Sequence, residues 1–142
     1  MIYRFFILFV ICPIIGYSQC PSSQQLSFYE QADLDSFLIQ YPNCTEYSGD
    51  IYIGICLDLV NNDEWAEYSI YDLSPLKNLT SLGGISIEAI NHCWQNKPIV
   101  RELDNLYGLH NLVNLNSFYL QSGIPIRSLN ELSNIKEMEY LS

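Results

Sequence analysis

The chain has 142 residues, of which 49% are apolar and 15% are charged, and this size and composition are typical of one globular domain. Sixteen acidic residues against six basic ones give a formal net charge of -10, so nucleic acids and anionic membrane surfaces are repelled and are excluded as partners. A disordered chain is also excluded, because the 11 tyrosines and the many aliphatic residues supply ample apolar surface to bury.

Residues 1–19 have the layout of a secretory signal peptide. Arg4 precedes an apolar run at 5–15, and small or polar residues follow at 16–19. The run is too short to span a membrane, which takes roughly 20 apolar residues. We therefore expect a secreted or cell-surface protein whose mature chain has no membrane-spanning segment. A lipid-anchored Cys20 and an uncleaved N-terminal helix are the weaker alternatives, because lipoprotein processing favours a small residue where Gln19 stands.

Four cysteines remain after residue 19, and an even number in a small exported chain indicates two disulfides with three alternative pairings. Spacing favours one of them: Cys20 and Cys44 bracket a helical segment, and Cys56 and Cys93 each follow a strand-like run. Metal ligation competes for the same residues, but the chain has no Cys-x-x-Cys pair and its two histidines lie far apart. We predict no metal and no cofactor.

Apolar residues recur at every third position in three blocks of equal length. The blocks are Ile70, Leu73, Leu76, Leu79, Leu82 and Ile85; Leu103, Leu106, Leu109, Leu112, Leu115 and Phe118; and Ile126, Leu129, Leu132, Ile135, Met138 and Leu141. In an α-helix this spacing carries the apolar residues around the axis, and in a strand it alternates between faces. A coil that turns a corner every few residues, with one side chain pointing inward each time, explains the pattern.

The period changes from three to two at the ends of the first two blocks, which indicates short strands around Ser86 and Tyr119 and an earlier one around Tyr52. The intervals between these strands fit leucine-rich coils of roughly 20 to 29 residues, two of them lengthened by insertions at 57–69 and 88–102. Stacked coils pair their strands in a parallel sheet. The predicted fold is therefore mainly β, a right-handed leucine-rich β-solenoid.

Three asparagines occupy equivalent places in the blocks: Asn78, Asn111 and Asn134. We interpret them as a structural ladder whose amides satisfy the backbone of the corners, rather than as a row that binds sugar.

The ends of such a stack need covers. Residues 32–39 read as a short amphipathic helix that closes the N-terminal end, so we divide the chain into a signal peptide at 1–19, a cap with helix and disulfide at 20–49, and leucine-rich coils at 50–142. The sequence stops where a fourth strand begins. We expect a solenoid that is incomplete at the C-terminus, as a fragment of a longer product or with a partner covering that edge.

Several segments resemble the receptor L domain, the leucine-rich β-helix of insulin and epidermal-growth-factor receptor ectodomains, which also occurs in exported bacterial surface proteins. The resemblance covers about residues 20–142 and is carried by Asn-Cys-Thr at 43–45, Gly-Asp-Ile-Tyr-Ile at 49–53 and Leu-Thr-Ser-Leu-Gly-Gly at 79–84. It implies a right-handed β-solenoid, a cap disulfide between Cys20 and Cys44, and extracellular binding without catalysis. The block that ends at Phe118 lacks the glycine pair.

No arrangement of residues indicates an enzyme. The acidic residues of the first insertion, Asp58, Asp63, Glu64 and Glu67, are interpreted as a solvated loop, with calcium binding or a catalytic pair as alternatives. Their spacing does not follow an EF-hand loop.

The sheet face is the predicted binding site. Tyr52, Ser86 and Tyr119 alternate with inward apolar residues, and Trp65 and Trp94 lie in the two insertions, where they form an aromatic rim or fold back over the core. The leading hypothesis is an exported recognition or adhesion module for an extracellular protein or glycan. A structural spacer in a larger surface protein is the alternative, and an enzyme or accessory domain acting on polysaccharide is the third.

Overall fold

A computed structural model describes residues 19–56, 70–90 and 103–141. One α-helix, α1, spans Gln31–Gln40, and three 3₁₀ turns span Ser74–Leu76, Tyr107–Leu109 and Asn130–Leu132. The strands are β1 (Gln25–Phe28), β2 (Glu46–Cys56), β3 (Ser81–Ile90), β4 (Asn114–Leu120) and β5 (Tyr140–Leu141).

The five strands form one sheet in the order β1-β2-β3-β4-β5, and every pair is parallel. Neighbours in the sheet are therefore also neighbours in the sequence. The register aligns equivalent positions of the repeats: Ile51 pairs with Ile85, and Ile85 pairs with Phe118. A register shift between Tyr47 and Asp50 gives β2 one extra residue relative to β3.

The predicted fold class is wrong. The described residues form a small α/β-like fold with one helix and an open, five-stranded, all-parallel sheet whose edges are β1 and β5; they do not form a right-handed leucine-rich β-solenoid. The helix predicted at 32–39 is present and is longer by one residue at each end.

The central part of the three-residue period has a local explanation, a 3₁₀ turn in each repeat. A 3₁₀ turn has 3.0 residues per turn, so side chains three positions apart lie on the same face. The N–H of Leu76 donates to the carbonyl of Leu73 (2.9 Å), and the N–H of Leu79 donates to that of Leu76 (3.0 Å). These bonds account for the spacing of Leu73, Leu76 and Leu79 without a coil that closes around an axis, whereas Leu82 and Ile85 lie in β3.

The same pair of hydrogen bonds recurs in each repeat. Leu109 and Leu112 donate to Leu106 and Leu109 at 2.8 and 3.1 Å. The third repeat has the equivalent bonds from Leu132 and Ile135, at 3.0 and 3.1 Å. The turns stack on one another, and Gly108 of the second turn lies so close to the carbonyl of Leu73 in the first that a Cβ atom has no space there.

A polar side chain begins each 3₁₀ turn. The Asp72 carboxylate accepts the N–H of Ser74 (2.8 Å), the Asn105 side-chain oxygen accepts that of Tyr107 (3.0 Å), and the Ser128 hydroxyl accepts that of Asn130 (3.0 Å). These are the local side-chain turns that Asp, Asn and Ser favour. They fix the place in each repeat where the chain leaves the extended conformation.

The core lies between the inner face of the sheet and the 3₁₀ turns. All six apolar residues of the first block and all six of the second are buried, and Leu34 and Phe37 of α1 join the same cluster. Phe37 meets Phe28 of β1 edge-on, with ring centroids 6.0 Å apart. The helix therefore packs against the β1 side of the sheet and extends the core beyond the first repeat.

Candidate recognition surface

The outer face of the sheet carries the three strand residues predicted to bind. Tyr52 of β2 pairs with Ser86 of β3, and Ser86 pairs with Tyr119 of β4. Paired residues in a parallel sheet share a face, and their neighbours Ile51, Ile85 and Phe118 point into the core. The three residues therefore form one row across three strands, with a small serine between two tyrosines.

Two more rows flank this one. One contains Gln25, Asp50, Gly84, Ser117 and Tyr140, and the other contains Gly54, Glu88 and, just after β4, Gln121. These three rows, together with Tyr29, are called the outer face below.

Tyr29 extends the aromatic surface beyond the sheet register. Its ring lies 5.8 Å from that of Tyr52, centroid to centroid, and it covers the place where Gly54 has no side chain: a Cβ atom on Gly54 would be 2.6 Å from Cδ1 of Tyr29. Tyr29 is 47% exposed and Tyr119 is 38% exposed. Apolar ring surface is thus presented to solvent on both sides of Ser86.

Glu88 is the acidic group nearest to the centre of the outer face. The hydroxyl of Ser86 donates to its Oε1 atom at 2.5 Å. Within the described residues, its other carboxylate oxygen has no hydrogen bond. Gln121, in the same row, accepts the N–H of Ala89 through Oε1 at 2.7 Å, and its own N–H donates to the carbonyl of Ile87. Both side chains are therefore held in place by the backbone or side chains of β3.

The electrostatic effect of Glu88 reaches Tyr52. Burial raises the pKa of the Tyr52 phenol above its usual value, and the negative charge of Glu88 and the neighbouring Tyr29 raise it further. Tyr52 therefore stays protonated at neutral pH and presents a hydroxyl donor beside a carboxylate.

A second acidic position lies across the sheet from Glu88. Gly84 leaves a depression in β3, and the Asp50 carboxylate and the Ser117 hydroxyl reach over it from the two adjacent strands; a Cβ atom on Gly84 would be 2.6 Å from Oδ1 of Asp50 and would collide with Oγ of Ser117. The outer face thus has carboxylates in both flanking rows and neither lysine nor arginine in any of its three rows.

Several predicted residues lie outside the described part of the chain. They are Trp65, Trp94 and Cys93, together with the acidic residues Asp58, Asp63, Glu64 and Glu67. The aromatic rim, the acidic cluster and the bridge from Cys56 to Cys93 therefore stay predictions.

The predicted bond between Cys20 and Cys44 is present, with the two Cα atoms 4.6 Å apart. It ties the segment before β1 to the residue two positions before β2. A disulfide favours an oxidising compartment such as the cell exterior.

The three predicted ladder asparagines make equivalent contacts. Each donates from Nδ2 to a backbone carbonyl of the preceding repeat: Asn78 to Pro42 at 2.9 Å, Asn111 to Lys77 at 2.8 Å and Asn134 to His110 at 2.8 Å. In the last two cases the accepting residue directly precedes the ladder asparagine of the repeat before. These amides thus hydrogen-bond backbone carbonyls of the neighbouring segment and lie away from the outer face.

Sequence reasoning placed only Tyr52, Ser86 and Tyr119 on the outer face, and the residues that it missed include Tyr29, Glu88 and Gln121. Glu88 follows Ser86 by two residues, so the period of two places it on the same face, but it was assigned to an insertion. Gln121 continues β4 in the same way. No sequence pattern indicates that Tyr29 lies on the outer face, because its position depends on β1, an edge strand without a repeat equivalent.

Two further observations concern the described residues 19–56, 70–90 and 103–141. No three His, Cys, Asp or Glu side chains among them are close enough together to hold a metal ion. Nor does this part of the chain contain a helix with the length and apolar character needed to cross a bilayer.

No family model, curated protein or solved structure matches the chain.

Proposed function

We propose that this protein is an exported, non-catalytic recognition or adhesion module that binds an extracellular protein or glycan through the outer face of its sheet. The observation that carries the proposal is the row of Tyr52, Ser86 and Tyr119, extended by Tyr29. Rings at these positions add nothing to the core, which the residues between them already fill, and exposed tyrosines supply contact area at low entropic cost.

Export is part of the proposal. Its support is the signal-like pattern of residues 1–19 and the disulfide between Cys20 and Cys44. The motifs at 43–45, 49–53 and 79–84, similar to those of receptor L domains, agree with an extracellular binding role.

The test is a screen of the purified protein against arrayed glycans and arrayed short peptides. We expect ligands whose binding to the wild-type protein is lost or weakened about tenfold in Tyr119→Ala, because a buried aromatic contact contributes on the order of 1 to 2 kcal/mol. Tyr107→Ala is the matched control: Tyr107 is also an exposed tyrosine, but it lies on the second 3₁₀ turn, stacked on His110.

Ligands that bind Tyr119→Ala as well as the wild type would contradict this site. An absence of any ligand sensitive to Tyr119 would instead favour the alternative of a structural spacer.

A further inference from the structure

On the outer face, the small side chain of Ser86 leaves a notch between Tyr52 and Tyr119. Adjacent strands lie about 4.8 Å apart, so Tyr52 and Tyr119, two strands apart, are separated by about 10 Å at the backbone. Ser86 forms the floor between them. A cation above Ser86 would lie one strand spacing, about 5 Å, from each tyrosine strand, a distance comparable with the roughly 6 Å within which an ammonium or guanidinium group is attracted to a tyrosine ring.

The carboxylate of Glu88 adds a charged partner at the same place. Its Oε1 atom is fixed by the Ser86 hydroxyl at 2.5 Å, so the group is held at the edge of the notch before any ligand arrives. Its second oxygen accepts no hydrogen bond from the described residues. A charge-assisted hydrogen bond from a basic side chain would occupy it. The elevated pKa of Tyr52 agrees with a negative potential there.

Charge complementarity extends beyond the notch. Asp50 lies in the opposite flanking row, and the described basic residues, Lys77, Arg127 and Lys136, all lie outside the strands. Arg127 is within 3.9 Å of Asp104, also away from the sheet. With a net charge of -10, the whole chain attracts a cationic partner over long range, whereas this charge does not attract a neutral partner.

We propose that the outer face binds a basic segment of a partner protein, with one lysine or arginine side chain inserted over Ser86 between Tyr52 and Tyr119 and hydrogen-bonded to Glu88. This inference rests on the proposed function and specifies the chemistry of its partner. A neutral glycan can also donate its hydroxyls to the carboxylates but carries no charge, so the two ligand classes differ in the charge and salt dependence of their binding.

The probe is a twelve-residue peptide of four Gly-Ser-Arg repeats, blocked at both ends, together with the same peptide carrying citrulline in place of arginine. Citrulline keeps the shape and most hydrogen-bonding groups of arginine but has no charge. We expect the arginine peptide to bind about tenfold more tightly, with an affinity that falls as salt is added. Amide chemical shifts of the protein should change mainly at Ser86, Glu88 and Tyr119.

Three variants locate the interaction. Glu88→Gln and Tyr119→Ala should each weaken binding of the arginine peptide by about fivefold or more. Asp33→Asn is the control: it removes the same charge from an exposed position of α1 and should change the affinity less than about twofold, because screening reduces the effect of distant surface charges.

Equal losses in Asp33→Asn and Glu88→Gln would show diffuse attraction to an acidic protein and would overturn the inference. So would the failure of both peptides to bind, or equal binding of both. None of these results contradicts the proposed function. That proposal fails only if the array screen yields no ligand whose binding depends on Tyr119.

Discussion

The second and third repeats carry the same sequence pattern but bury it differently. Leu106 and Leu129 hold equivalent positions directly before the second and third 3₁₀ turns, yet Leu106 is fully buried and Leu129 is 46% exposed. On the β1 side, α1 packs against the first turn. On the β5 side, Tyr140 and Leu141 are 60% and 61% exposed. The repeat thus determines the turn, whereas burial requires a neighbour on both sides.

Truncation of the two equivalent leucines tests this difference in burial most directly. Leu106→Ala should lower the free energy of unfolding by about 3 kcal/mol, through lost burial and the cavity that remains. Leu129→Ala should cost less than about 1 kcal/mol, because nearly half of that side chain already contacts water. Urea denaturation of the two variants measures both values.

The two variants are controls for each other, since the residue type, the turn and the substitution are the same. Equal losses would mean that a further part of the protein covers Leu129 in solution, and the contrast between the two repeats would then disappear.

The capped end depends on a buried amide as well as on apolar contacts. Gln31 of α1 is 5% exposed; its Nε2 donates to the carbonyl of Asp72 (3.0 Å) and to Asp35 (2.8 Å), and its Oε1 accepts the N–H groups of Tyr71 and Asp72, both at 3.1 Å. This one side chain therefore joins the helix to the segment that enters the first 3₁₀ turn.

Gln31→Ala should lower the free energy of unfolding by about 2 kcal/mol, because the partly buried backbone groups of Asp72 lose their bonds to the buried amide. Gln40→Ala, at the exposed C-terminal end of the same helix, makes the same chemical change and should be within about 0.5 kcal/mol of the wild type. Because alanine has a higher helix propensity than glutamine, propensity cannot explain a loss in Gln31→Ala, and equal stabilities of the two variants in urea denaturation would contradict the role of the Gln31 bonds.

The sequence was informative where one residue type repeats a local contact. The strands around Tyr52, Ser86 and Tyr119, the helix around Leu34 and the buried triplets can be predicted because periodicity reports which side of the chain meets the core. The predicted fold class is wrong because a period of three is not specific to coils that close: 3₁₀ turns produce its central part locally, and its last positions lie in strands.

Contacts between distant segments produce no periodic pattern in the sequence and could not be predicted from it. Gln31 bonds residues 40 and 41 positions away, and Tyr29 covers Gly54 from the residue that follows the edge strand β1, outside the repeats. Glu88 differs from these two: the period of two that identified Ser86 also includes it, so the acidic side of the outer face was predictable from the sequence.

The last prediction concerns the pKa of Tyr52. Tyr52, toward the capped end, lies against Tyr29 and near Glu88, and burial followed by these two neighbours raises its pKa. In the unfolded chain the phenol ionises near its ordinary value of about 10. The contribution of Tyr52 to stability is therefore complete below that pH and is lost as the pH rises through the higher pKa of the folded state. Titration of the ¹³Cζ resonance of Tyr52 by NMR measures the folded value.

Glu88→Gln should lower the pKa of Tyr52 but leave it above the ordinary tyrosine value, because burial, the largest cause, is unchanged. Asp33→Asn, which removes an equal charge from α1, should leave the titration of Tyr52 where it is. A pKa that does not respond to Glu88→Gln would place the carboxylate away from the phenol. The notch would then lack the charged partner that distinguishes the outer face from an ordinary aromatic surface.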